Sequence, residues 1–186
     1  VSQEVRVRFS LRPPTIMELN KYNNLLELFN FQLNQQNPKS IFLRSLKNSN
    51  NKFSWQQTFE CIQKLSDELT KTLNDGDRCL LISENRPEWL ISDLSIMLSY
   101  GVTVPAYTTY TERDYEYLIN DCKPSVIIVS DQFQYDKIKN IVKKNYFIKL
   151  IITFDDVKSD YQNIINIKKI FDKEKYEKKN LKNLKL

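Results

Sequence analysis

Three runs of this chain are apolar on consecutive residues rather than on alternate ones: Arg78–Ser83 (RCLLIS), Ser125–Ser130 (SVIIVS) and Lys149–Phe154 (KLIITF). A strand that alternates needs cover on one face only; a strand that is apolar throughout needs cover on both. A fourth, shorter run, Val102 to Pro105, stands between the first two. Stretches with three- and four-residue apolar spacing separate all of them. From residue 54 the order is α-β-α-β-α-β-α-β. That order predicts an α/β fold: a mostly parallel sheet with helices on both faces.

The local signals agree with this frame. Residues 22–36 place Leu25, Leu26, Leu28, Phe29 and Leu33 on one helical face, and Asn37-Pro38 ends it. Ser40–Lys47 and Lys52–Ser54, joined through Asn48–Asn51, predict a small N-terminal hairpin. Ser54 with Gln57, and Thr111 with Asp114, have the spacing of capping boxes. The first opens a helix running to about Leu73, which Gly76 stops. Asn85 is placed to cap the next helix, with Pro87 in its first turn. That helix is apolar over most of its circumference, so Trp89 reads as buried core. Asp131 caps the helix that carries Ile138, Ile141 and Val142 inward. Beyond Asp155 the chain is polar and Lys-rich, with a weak helical stripe of Ile164, Ile167, Ile170 and Phe171 and a frayed end after about residue 172.

Composition removes several chemistries. There is no histidine, so Ser–His and Cys–His nucleophiles are excluded. Three cysteines, Cys61, Cys79 and Cys122, are widely spaced in apolar segments; they read as core thiols in a reducing compartment, and no metal site is expected. The only glycines are Gly76 and Gly101, so neither a P-loop nor a GxGxxG loop is present. Net charge is +5; residues 137–186 hold 14 lysines and 6 acids. Without arginine or interleaved aromatics, that stretch reads as a solvated surface rather than a nucleic-acid groove. No apolar run approaches a membrane span. Pro105-Ala106-Tyr107-Thr108-Thr109-Tyr110 follows a strand end, where open α/β sheets bind ligands. Its hydroxyls either face a ligand or cap turns.

Several short motifs then fall in a recognisable order: Phe53-Ser54-Trp55, Leu65-Ser66-Asp67-Glu68-Leu69, Gly76-Asp77-Arg78, Asn85-Arg86-Pro87-Glu88-Trp89, Asp93-Leu94, Gly101 to Tyr107, Tyr117 to Asp121 and Val126 to Val129. Together they resemble the opening of the AMP-forming acyl-CoA synthetases of the adenylate-forming superfamily, with Asn85 to Trp89 most similar to the long-chain fatty acid branch. The resemblance covers roughly residues 23–155. It implies a ligase that activates a fatty acid with ATP and magnesium to an acyl-adenylate, then transfers it to coenzyme A. It also implies a cytoplasmic or membrane-peripheral protein of lipid metabolism. The family's Ser/Thr/Gly-rich phosphate loop, magnesium-binding glutamate and mobile-domain lysine have no counterpart in these residues.

No catalytic, cofactor-binding or metal-binding residue is therefore assigned. Asn85, Trp89, Pro105, Tyr107, Thr108 and Thr109 are family-motif positions, expected as scaffold or as one wall of an acyl pocket. Residues 1–16 read as an extension ahead of Met17, non-native or disordered. Residues 17–155 read as the N-terminal part of the adenylate-forming domain, an incomplete portion of that fold, and 156–186 as a Lys-rich helical tail. The chain alone is expected to be inactive and to bind none of ATP, Mg2+ or CoA, its missing partner being the C-terminal part of the same enzyme. The alternatives are a non-catalytic remnant that binds a partner or acyl chain, and a basic nucleic-acid-binding protein.

Overall fold

The computed structural model describes residues 22–181; the extension read over 1–16 and the start read at Met17 lie outside them. The described chain opens with helix α1 (Leu25–Gln35) and an antiparallel hairpin, β1 (Ile41–Arg44) and β2 (Lys52–Ser54). It then alternates through α2 (Trp55–Leu69), β3 (Arg78–Ile82), α3 (Pro87–Leu98), β4 (Val102–Ala106), α4 (Glu112–Cys122), β5 (Val126–Val129), α5 (Gln132–Lys144) and β6 (Leu150–Thr153). It closes with β7 (Ile164–Asn166) and a short α6 (Ile167–Phe171).

The five strands from β3 onward form one parallel sheet in the order β4-β3-β5-β6-β7. As the apolar runs require, its centre is covered on both sides. Cys79, Leu81, Val126, Ile128, Leu150 and Ile152 face α2, α3 and α6 through Leu65, Leu69, Ile96, Ile167 and Ile170. Leu80, Ile82, Ile127, Val129 and Ile151 face α4 and α5 through Tyr115, Ile119, Tyr135, Ile138 and Val142. Each such aliphatic side chain contributes about 1.5–3 kcal/mol relative to exposure. A third cluster holds α1 and the hairpin against α2 and α3, with Phe42 and Trp55 stacked at 3.8 Å between ring centroids.

The helix starts follow their caps. Ser54 Oγ accepts from Gln57 N (3.2 Å) while Gln57 Oε1 accepts from Ser54 N (2.9 Å). Thr111 and Asp114 do the same at α4, and Asp131 Oδ1 accepts from Gln134 N (2.9 Å) at α5. Arg78 Nε donates to the Cys122 carbonyl (2.7 Å), placing a cation on the carbonyl end of α4. Of the cysteines, Cys61 and Cys79 are buried and Cys122 half-buried; desolvation by burial pushes the Cys61 thiol up to about 12. Both buried thiols are core groups.

Four details differ from expectation. The N-cap of α3 is Arg86, with no side-chain cap bond, and Asn85 stays exposed. Pro87 at the first helical position has its φ preset for the helix and no amide hydrogen of its own left to satisfy. The helix from Trp55 ends at Leu69 and continues to Leu73 as a tight turn. Ile164–Asn166 is not part of a helical stripe: it is strand β7, paired in parallel with β6. Residues 172–181 are neither helical nor frayed but cross α2 as a strap. The Gln63 side chain accepts from Lys179 N (2.7 Å) and donates to Lys179 O (3.0 Å), and Leu181 is buried beside them.

The outer edge at β4 has a defined parity. Val102 N donates to the Asp77 carbonyl (2.8 Å), so residues 102, 104 and 106 turn their amides toward β3. Thr103 and Pro105 turn outward.

Candidate functional site

The carboxyl ends of β3, β4, β5 and β6 lie on one side of the sheet, and the order reverses around β3. Open α/β sheets bind ligands outside such a reversal. Two clefts lie there. They share Glu84 and Asn85 in the loop that leaves β3.

The first cleft, about 400 Å3, is lined by Ser83, Glu84, Asn85, Trp89, Pro105, Ala106, Tyr107 and Thr108. Asn85, Trp89, Pro105, Tyr107 and Thr108 are thus brought together although up to 23 positions separate them in sequence. Thr109 is exposed and does not line the cleft. Trp89 departs from the expected buried core: it is half-buried, packed on the sheet with part of its surface lining the cleft. Its position on the rim side of α3 follows from the helix entering at Pro87, which leaves the first turn at the sheet's end. Tyr107 is 72% exposed, its ring edge-on to Tyr110 at 5.6 Å. Below the cleft, α3 turns Asp93 toward β4. Burial raises the Asp93 carboxyl above its usual range, and the nearby Thr103 hydroxyl partly offsets this.

The second cleft, about 300 Å3, runs between the hairpin turn and the strand ends. Ser45, Lys47, Asn48 and Asn51 line one side, and Glu84, Asn85, Arg86, Asp131 and Asp155 the other. Arg86 holds it together. Its two terminal nitrogens meet both oxygens of Asp155 at 3.0 and 2.9 Å, a bidentate pair. Its Nε donates to Glu88 Oε2 (3.3 Å), and the guanidinium lies 5.3 Å from the Phe154 ring centroid. Glu88 in turn accepts from Asn51 Nδ2 (2.8 Å) in the hairpin turn. Burial alone would lower the Arg86 pKa, but the bonds and charges of Asp155 and Glu88 outweigh it and raise it. Sequence reading gave Arg86 no role of its own; its partners Glu88 and Asp155 stand 2 and 69 residues away, and Asn51 stands 37 from Glu88, at no pattern a sequence displays.

Among the described residues no group of His, Cys, Asp and Glu is arranged to hold an ion. The glycines lie at Gly76 and Gly101, at the opposite ends of the strands from the clefts. No described helix is long and apolar enough to cross a membrane. What the geometry offers is a polar-and-aromatic wall with a rigid sheet behind it.

Residues 31–183 match the family described as AMP-binding enzyme. The chain is 26% identical over 106 residues to the long-chain-fatty-acid–CoA ligase ACSBG1 of Rattus norvegicus, covering 56% of this chain and 15% of that one. It is 35% identical over 83 residues to fatty acyl-CoA synthetase A of Dictyostelium discoideum, covering 45% of this chain and 12% of that one. Among solved structures it resembles the anthranilate CoA ligase AuaEII in complex with anthranoyl-AMP. That likeness has a TM-score of 0.68 and 17% identity, over 81% of this chain and 28% of that one. A red-emitting luciferase of Phrixothrix hirtus matches with a TM-score of 0.56 and 22% identity, over 66% of this chain and 29% of that one. These likenesses support the fold: an α/β sheet that forms one part of larger adenylate-forming enzymes. The chain spans about 15% of the length of the rat ligase.

Proposed function

Because the chain belongs to the AMP-binding enzyme family, we propose that its residues form the early scaffold of an AMP-forming long-chain fatty acid–CoA ligase. In that reading, the whole enzyme joins a fatty acid carboxylate to the α-phosphate of ATP, releasing pyrophosphate. Coenzyme A thiol then displaces AMP. Adenylation turns a poor leaving oxygen into a good one, and the protein's contribution is positioning and charge neutralisation. The supporting observation is the cleft at the strand ends, which gathers Asn85, Trp89, Pro105, Tyr107 and Thr108 from two separate family motifs. We assign these residues to one wall of the acyl-binding side. The catalytic groups belong to sequence other than these 186 residues, and the chain alone binds neither ATP·Mg2+ nor CoA productively. Its setting is cytoplasmic or membrane-peripheral.

The test is acid-dependent ATP–pyrophosphate exchange by the purified chain, with palmitate as the acid. No exchange is expected; clear exchange would sink the claim that catalysis needs other residues. Reading the coding DNA past Leu186 tests the ligase assignment itself. A Ser/Thr/Gly-rich loop with a lysine, in frame or shifted, is the expected finding; a stop followed by unrelated genes favours the non-catalytic module. The lysine pairs Lys139–Asp136, Lys143–Asp160 and Lys173–Glu68 support reading the Lys-rich stretch as a solvated surface rather than a nucleic-acid site.

A further inference from the structure

Lys137 lies on α5, outside both clefts, yet its contacts point at the first one. Its Nζ donates to the Thr108 carbonyl (2.7 Å) and to the Tyr110 carbonyl (3.0 Å). Tyr115 Oη, on α4, donates to the Tyr107 carbonyl (2.8 Å), with Gln134 Oε1 as a second acceptor at 3.2 Å. Three of the four carbonyls from Tyr107 to Tyr110 are therefore held from behind by two side chains. The Lys137 ammonium also rests 4.6 Å from the Phe133 ring centroid and 5.8 Å from that of Tyr115, where the ring faces favour a cation.

This arrangement separates two properties that usually go together. The Tyr107 side chain is open to the cleft, while its backbone is fixed. A hydrogen bond from a charged donor contributes more than a neutral one, and Lys137 makes two of them on one loop. A loop ordered in advance loses less conformational entropy when it meets a ligand.

We propose that Lys137, assisted by Tyr115, is a positioning residue that sets the Tyr107–Tyr110 loop as the wall of the cleft. The proposal rests on reading that cleft as a ligand wall, but its test does not need the ligand. Lys137 acts through the loop and touches none of the cleft-lining side chains' polar ends, so it is not a catalytic residue.

Native-state chymotrypsin cleavage reads the clamp directly. Tyr107 and Tyr110 are potential cut sites, Tyr146 is a 96% exposed reference, and Tyr135 is a 2% exposed marker of unfolding. In Lys137→Met, which keeps the aliphatic stem, cutting after Tyr107 or Tyr110 should rise about tenfold or more. Cutting after Tyr146 should stay unchanged and none should appear after Tyr135. Lys137→Arg should restore the slow rate, since it again offers charged donors to the carbonyls. Tyr115→Phe, which removes only a hydroxyl, should raise the same cuts by less and serves if Lys137→Met does not fold. Unchanged cutting at Tyr107 and Tyr110 overturns the proposal, as does a parallel rise at Tyr135, which would make Lys137 a general stabiliser of the fold. Failure of the ligase assignment would leave these cleavage rates where they are, so the two failures are distinguishable.

Discussion

The two clefts beside Glu84 and Asn85 share a floor but are held by opposite means. In the hairpin cleft, side chains bond to side chains: Arg86 to Asp155 and Glu88 on one side, and Glu88 onward to Asn51 of the hairpin turn. Its polar groups are largely engaged with one another. In the aromatic cleft, side chains bond to the loop's backbone from behind, and the Tyr107 side chain stays exposed. A cleft tied across its mouth serves to join elements; a cleft braced from outside is prepared to receive something. That difference, more than volume, is the reason to assign the ligand wall to Trp89 and Tyr107 and the joint to Arg86.

The most severe test weakens the strand from which the shared Glu84–Asn85 loop leaves. Ile82 is the last residue of β3 and fully buried under the α4–α5 layer. Ile82→Ala should cost about 2–5 kcal/mol, read as a shift in urea midpoint, and should loosen both clefts together. If chymotryptic cutting near Tyr107 stayed slow in that variant, the clamp would be independent of the sheet and the common-floor picture would fail.

A smaller effect should separate the clefts. Arg86→Met leaves Glu88, whose side chain is 10% exposed, and Asp155, which is 49% exposed, without their cation. Because Asp155 returns readily to water, the loss should be about 1–2 kcal/mol rather than that of a fully buried pair. The urea midpoint should fall while cutting after Tyr107 is unchanged. A rise in that cutting would show that the two clefts are one mechanical unit.

The smallest expected effect has a sign that pH reveals. Asp93 has a folded pKa raised above its unfolded value, first by burial. Between those two values the folded state holds more proton, so stability falls as pH rises through the window. Its charge therefore costs stability at neutral pH, and the cost disappears as pH falls through the folded pKa toward the unfolded one. Asp93→Asn should raise the urea midpoint at pH 7, and the gain should shrink to nothing in acid. A gain that persists in acid would assign the effect to packing.

How much of this was legible in sequence follows the range of the interactions. The central strands were, because a run such as VIIV carries its own burial requirement, and all four of its residues are buried. The capping boxes at Ser54 and Thr111 were, because both partners sit within four residues. Strand β7 was not: three residues between polar neighbours also satisfy a helical stripe, and only the β6 edge decides between them. Arg86 and Lys137 were not, because a guanidinium 69 residues from its carboxylate and an ammonium 29 residues from its carbonyl leave no periodic trace. The cleft itself was legible in part. The motif residues after β3 and β4 were identified together; that they line one wall, without Thr109, depended on the register of the two strands.

Pro105 carries a consequence beyond the cleft it helps line. Facing outward from β4, it has no amide hydrogen, so among the described residues of that strand Thr103 alone turns an amide N–H outward. A stray extended peptide, or a second molecule at high concentration, meets carbonyl acceptors there but lacks one of the donors a ladder would use. Self-templated stacking from this rim is weakened by a single ring.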